Sequence, residues 1–352
     1  MEPGPTGARS LGLSQFPALL GPDRGRRARP SGLSAMTMDR RAMLAATLGT
    51  LALGACHGQT KAGLEGITLR VWRHKLAASR FMEAAGLPPT PYQVTYADLP
   101  GGQMVLNAFS GDGLDYAFMS QIPPVYALRS GVPIKLVATY AGDTHNGGIL
   151  VNRGSSARRI EDLRGRTVTY VPGTNDHFYL LKLLDRHGLS IKDIQPVPLS
   201  ALDANAAFQS GHVEACTTSN LPALQLEAMG GRWLSRDLAG IYAGNFVIAA
   251  HTGSLADPVR RSALADYLRR EQATWNWVAR HPHEWARLAA KLTGAPIALF
   301  ERLAREQSRP GQILPINDAV IRDQQEISDF LVKEGLLQSR QDIHPLWMKG
   351  LL

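Results

Sequence analysis

Four short stretches of this 352-residue chain are built of glycines or of small hydroxyl and amide side chains: Gly101-Gly102 after Pro100, Ser120-Gln121, Gly173-Thr174-Asn175, and Ser219-Asn220 after Thr218. Each stands between an apolar run and a run with helical spacing. A helix start leaves its first N–H groups without intrahelical partners, and the helix dipole is positive there. The chemistry on offer is therefore the holding of a ligand oxygen, such as a desolvated sulfonate or carboxylate. The same residue types are ordinary helix N-caps, so for Ser120, Thr174 and Asn220 both uses stay open. Arg309, followed by Pro310-Gly311, adds a guanidinium for charge-assisted bonds to an anion, or a merely solvated loop arginine.

The clearest of these stretches is organised from Thr167 to Gly188. Thr167-Val168-Thr169-Tyr170-Val171 is β-branched and aromatic, which predicts a buried strand, and Pro172-Gly173-Thr174-Asn175 turns it into a helix over Asp176–Arg186. Phe178, Leu180, Leu181 and Leu184 form its apolar face, and Gly188 stops it. Asp176 sets a negative charge beside the proposed anion turn.

Patterns that would make bonds are missing. There is no HExxH, no GxxxxGK phosphate loop and no GxSxG elbow. His281 and His283 flank Pro282 at a helix start without a nearby third ligand, which leaves them as solvated residues and predicts no metal. Cys216 falls in a predicted buried strand and reads as a small hydrophobe rather than a thiol nucleophile. No cofactor is predicted.

The elements that must hold these turns alternate from Ile67 onward. Strands are expected at Ile67–Trp72, Tyr92–Ala97, Leu114–Met119 and Ile134–Tyr140, with helices at Lys75–Ala85, Gly102–Phe109 and Ile122–Arg129 between them. After a strand at Gly148–Asn152 the alternation restarts and runs to a strand at Asn245–Ala250. Helices then fill the rest, opened by Pro258, Pro282 and Pro296. Phe109-Ser110-Gly111-Asp112-Gly113-Leu114-Asp115 and Phe208-Gln209-Ser210-Gly211-His212-Val213-Glu214 look like one unit used twice.

Arg40-Arg41 precedes an apolar run from Met43 to Ala55, which reads as an export signal too short to span a bilayer. The twin arginines also suit a twin-arginine signal, and Met36 or Met38 suits the start of either. Leu53-Gly54-Ala55-Cys56 closes the run and resembles a lipobox, which predicts lipid attachment at Cys56 and a membrane anchor. Removing residues 1–55 leaves 31 Lys/Arg against 27 Asp/Glu, a net charge of +4, with no basic run that suggests nucleic acid.

Placed in order, Leu106-Asn107-Ala108-Phe109, Gly113-Leu114-Asp115-Tyr116-Ala117, Gly148-Ile149-Leu150-Val151, Ile160-Glu161-Asp162-Leu163-Arg164-Gly165 and Ala207 to Ala215 resemble the periplasmic substrate-binding proteins of ABC importers in the sulfonate, nitrate and taurine group, the NMT1/THI5-like family. The resemblance implies an α/β, two-lobe periplasmic-binding-protein type II fold, with mostly parallel sheets covered by helices and a ligand cleft between lobes. Lobe one would be 66–150 plus 247–352 and lobe two 151–246, with crossovers at Gly148–Asn152 and Asn245–Ala250. It further implies a ligand contact at Trp72 and His74, delivery of a small anionic or heterocyclic solute to an ABC permease and its ATPase, a monomer, and a periplasmic location. The same fold also serves a thiamin-pyrimidine synthase-like enzyme branch and solute-sensing receptor subunits. Sulfonate-binding relatives tend to carry a tryptophan where this chain has Ser219-Asn220-Leu221-Pro222, and Asp176 is an added acid. Carboxylates, heterocycles and amine-bearing ligands therefore stay open.

Overall fold

The chain first lays down β1 (Thr68–Trp72), β2 (Gln93–Ala97), α1 (Gly102–Ser110), β3 (Tyr116–Ser120), α2 (Ile122–Arg129) and β4 (Ile134–Ala141). It then builds β5 (Gly147–Val151), β6 (Thr167–Tyr170), α3 (Asn175–Arg186), β7 (Gln195–Pro198), α4 (Ala201–Gln209), β8 (Ala215–Ser219), α5 (Asn220–Ala228) and β9 (Arg232–Arg236). The last part runs through β10 (Asn245–His251), α6 (Thr252–Ala256), α7 (Pro258–Arg280), α8 (Pro282–Thr293), α9 (Ile297–Glu306), β11 (Gln312–Leu314) and α10 (Asp318–Lys333). This computed structural model describes residues 63–99, 101–236 and 238–352. Cys56, the apolar leader and Pro100 lie outside the described residues.

Two sheets result, a six-stranded one in the order β11-β4-β10-β3-β1-β2 and a five-stranded one in the order β7-β6-β8-β5-β9. Both are mixed with most strands running one way, as expected, and with β10 and β11 in the first sheet and β5 in the second running against the rest. In the first, β1 is parallel to β2 and β3, while β10 is antiparallel to β3 and β4. In the second, β6 is parallel to β7 and β8, while β5 is antiparallel to β8 and β9. Apart from β11 the sheets share one pattern, with β10 in the first doing what β5 does in the second. The repeated sequence unit sits at corresponding places: Phe109 and Phe208 are buried, Asp115 just precedes β3, and Glu214 just precedes β8. Each acid fastens its sheet edge, Asp115 by accepting from Arg70 Nε at 2.9 Å and Ser254 Oγ at 2.6 Å, Glu214 from Arg166 Nη1 at 3.0 Å and Ser155 Oγ at 2.7 Å.

The chain crosses between sheets at 142–146 and again at 238–244, just ahead of β5 and β10 rather than within them. Gly142 N–H donates to Gly244 O at 2.9 Å, and Leu238 N–H to Thr144 O at 2.8 Å, so the two crossings lie side by side. At Gly244, φ is +72°, and a Cβ would stand 2.8 Å from Gly142 O, so only glycine lets the strands approach this closely.

The helix expected over Lys75–Ala85 is not formed. His74 Nδ1 accepts from Leu76 N–H at 3.2 Å, a short 3-10 turn covers Ala78–Arg80, and Phe81 is buried with Trp277, Trp285 and Phe300. Local side-chain capture and one buried anchor override helical propensity there. The helices after β10 do not all stay with the first sheet. Phe330 and Leu331 of α10 share a core with Phe178 and Leu184 of α3, and both halves pack as one compact unit.

Candidate functional site

Strand ends and helix starts from the two sheets meet around a cavity of about 360 Å³. The second sheet supplies most of it, with Thr174, Asn175 and Asp176 at the start of α3 and Thr217 to Asn220 at the β8–α5 junction. The first sheet supplies Ser120 and Phe246, which are register partners on β3 and β10. Five of the expected residues thus come together: Ser120, Thr174, Asn175, Ser219 and Asn220.

The others do not line it. Gly173 flanks the cavity with φ +68°, the left-handed conformation the turn needs. Gln121 is fully buried beneath Ser120, with its carbonyl accepting from Gln324 Nε2 at 3.0 Å. Gly101 and Gly102 begin α1 and have no place in the lining. Trp72 uses its indole N–H on Leu99 O at 3.1 Å and packs beside His74, at 5.6 Å between ring centroids. His74 reaches the cavity only through a relay of rings, lying 6.0 Å from Phe118, which stacks on Phe246 at 5.2 Å. Burial and the nearby Arg80 hold its imidazole neutral, down at about 4. Arg309 donates from Nε to Gly142 O at 2.8 Å and from Nη2 to Ala243 O, so it clasps the two crossings instead of an anion. Of the two histidines flanking Pro282, His281 Nδ1 faces Trp277 O at 2.9 Å and His283 pairs with Glu301 at 2.8 Å.

The helix starts differ in what they can donate. α2 opens Ile122-Pro123-Pro124, so two of its first three positions have no N–H. α5 opens Asn220-Leu221-Pro222, and Asn220 N–H is already given to Asn146 O at 2.6 Å. Only α3 keeps a full set of first-turn amides. Thr174 does not cap it, because its hydroxyl donates back to Val171 O at 2.7 Å. Asp176 therefore stands at a helix start rich in N–H groups, and the start of α4 is another, giving one amide to Ser200.

Charge in the cavity is one-sided. Asp176 is the single ionisable carboxyl of the lining, which holds no Arg, Lys or His. Burial pushes that carboxyl up to about 7, countered only by Ser219 Oγ at 3.3 Å. Cys216 also lines the cavity, and burial pushes its thiol up to about 12. Asn175 Oδ1 and Thr217 Oγ1 are buried without a hydrogen-bond partner. Asn220 adds backbone strain, a non-glycine residue at φ +57°.

Sequence reasoning missed Phe246 and the start of α4, where Ala201, Ala204 and Asn205 join the lining. The α4 signal was present, since Leu199-Ser200 is another strand-to-helix junction. Ser200 itself is spent as the cap, accepting from Asp203 N–H at 3.2 Å. Phe246 carries no local signal, because only the pairing of β10 with β3 brings it to the cavity.

Residues 93–284, more than half of the chain, match the profile described as NMT1/THI5 like. The chain belongs to the NMT1/THI5-like family. Among curated members of that kind it resembles an aliphatic sulfonates-binding protein of Escherichia coli, with 27% identity over 77% of this chain and 81% of the relative. Among solved structures it resembles the alkanesulfonate-binding protein SsuA of Xanthomonas axonopodis pv. citri bound to MOPS, at TM-score 0.73 and 24% identity over 81% of this chain and 99% of that one. The desulfurization enzyme DSZB shares the fold at TM-score 0.59 and 17% identity, over 81% of this chain and 97% of that one. This NMT1/THI5-like fold thus carries both binding proteins and an enzyme, and the side chains of the cavity must separate the two.

Proposed function

We propose that this NMT1/THI5-like chain is a periplasmic solute receptor that holds a small molecule in the cavity between two lobes, one built on the first sheet (66–141 plus 245–352) and one on the second (147–236), and delivers it to an ABC permease and its ATPase. The observation that carries this reading is the cavity itself, whose wall takes Ser120 and Phe246 from one sheet and Thr174 to Asp176 and Thr217 to Asn220 from the other. Its lining offers hydrogen bonds and an aromatic face but no activated nucleophile, since the Cys216 thiol is protonated over the whole physiological range. Binding suits that chemistry better than turnover. The sequence motif at Cys56 supports a lipid tether, and the mature protein is expected to act as a monomer.

Thermal shift and calorimetry on the purified mature protein, against small sulfonates, carboxylates, nitrate, amines and pyrimidines, test the reading. A solute at a hundred times its dissociation constant adds about 2.7 kcal/mol of stability, which a melting curve resolves. The expected result is one chemical class that shifts the melt and is recovered unchanged after incubation. Recovery of a converted product would replace the receptor by an enzyme. Mass spectrometry of membrane-extracted protein checks the tether, with lipid expected on Cys56 and an unmodified, internal Cys56 excluding it.

A further inference from the structure

The cavity is lined by acceptors. Asp176 brings a carboxylate, and Asn175 brings an amide oxygen that accepts from nothing in the protein although the residue is only 7% exposed. Thr217 Oγ1, at 1% exposure, is likewise unpartnered and can accept or donate. No lining side chain carries positive charge. A buried acceptor without a donor is costly, so the solute is expected to arrive with N–H groups.

A bare anion fits poorly. The helix starts of α2 and α5 have lost most of their amides to proline and to Asn146, Ser200 takes one amide of α4, and Asp176 itself already answers the positive end of α3. A sulfonate placed beside that carboxylate would meet a like charge in a desolvated space. Resting on the receptor reading above, we infer that the solute carries a protonated nitrogen, an ammonium or amidinium, which docks on Asp176 and gives a second N–H to Asn175 Oδ1. Phe246 then supplies an aromatic face from the other sheet, a surface that attracts a desolvated cation. Any anionic group the solute also bears must then lie away from Asp176.

One alternative uses the same residue with the opposite sign. A protonated Asp176 donates O–H to an oxyanion, in which case binding tightens as pH falls. With a cation on the carboxylate, binding tightens as pH rises from 6 to 8. The other titratable groups around Asp176 do not change in that window. Burial holds Cys216 and Tyr179 protonated, and it holds His177, stacked on Tyr170 at 4.5 Å, neutral at about 4.

Calorimetry with propylammonium, 3-aminopropanesulfonate and propanesulfonate, on the mature protein and on Asp176→Asn, separates these outcomes. The two amines are expected to bind, to bind several-fold tighter at pH 8 than at pH 6, and to lose at least ten-fold in affinity in Asp176→Asn. That variant is isosteric and removes a charge that burial disfavours, so its melting temperature should hold or rise. Tight binding of propanesulfonate alone, or amine binding unchanged in Asp176→Asn, would overturn the inference and leave the receptor standing. Failure of all three probes to bind would count against the receptor as well.

Discussion

Thr174 and Thr217 look alike in sequence and do opposite things. The Thr174 hydroxyl closes the turn on Val171 O, so Thr174→Ala should cost about 1 kcal/mol of stability and leave solute affinity nearly untouched. Thr217 Oγ1 is buried in the cavity wall with no partner, and a solute that pairs with it would recover the cost of burying it. Thr217→Val keeps the shape and removes the polar atom. It should raise the stability of the empty protein by about 1 kcal/mol and weaken solute binding by about as much, roughly five-fold. Urea unfolding and calorimetry on both variants check the contrast. If Thr174→Ala weakens binding and Thr217→Val does not, the hydroxyl that meets the solute is the one on α3. Neither role was legible in the sequence, because a threonine at a strand–helix junction gives no sign of whether its own turn has used the hydroxyl.

Among the elements, α7 carries the clearest buried charge. Glu271, 4% exposed, accepts from Tyr116 O–H at 2.6 Å, and burial pushes its carboxyl up to about 7 from an ordinary 4.5. The folded state then holds a proton between those values that the unfolded chain has released. With more protons bound folded than unfolded, stability falls as pH rises through that window, by up to about 3 kcal/mol for this group, and levels off above it. Asp176 acts in the same direction, so Glu271→Gln should remove part of the decline and raise stability at pH 8. Parallel unfolding curves for parent and variant at pH 5 and pH 8 would show that Glu271 is not the group. Most elements were readable from periodicity, and α2 and α7 begin and end where the sequence placed them. Strands β9 and β11 were not, since β11 has only three residues and β9, Arg-Trp-Leu-Ser-Arg, is partly buried throughout and lacks alternation. The antiparallel pairing of β4, β5 and β10 was equally hidden, because strand direction is set by partners far away in the chain while alternation reports only neighbours.

For the whole molecule the question is what happens when a solute joins walls that belong to two sheets. Contacts from both walls exist only when the walls are close, so binding should favour closure about the crossings at 142–146 and 238–244. A segment from after α9 straps them: Ser308 N–H donates to Asp143 Oδ1 at 2.7 Å, and Arg309 bonds Gly142 O and Ala243 O. Several contacts also reach from the C-terminal helices to the second half. Lys333 to Asp185 at 2.6 Å and Arg302 to Glu227 at 2.9 Å are partly exposed ion pairs, worth at most about 1 kcal/mol each, and they part easily. Phe330 packed on Phe178 at 5.5 Å ties the end of α10 to the second half, while Val320 and Ile321 bury its start in the core of the first, so α10 bridges the two. Arg309→Ala tests the strap, because it frees two crossing carbonyls without touching the cavity. It should lower stability by about 1–3 kcal/mol and change solute affinity through the open–closed balance alone. Small-angle scattering should show the parent contract at saturating solute and the variant contract by a different amount. Equal contraction and equal affinity in the two proteins would leave Arg309 as a structural clasp with no part in closure.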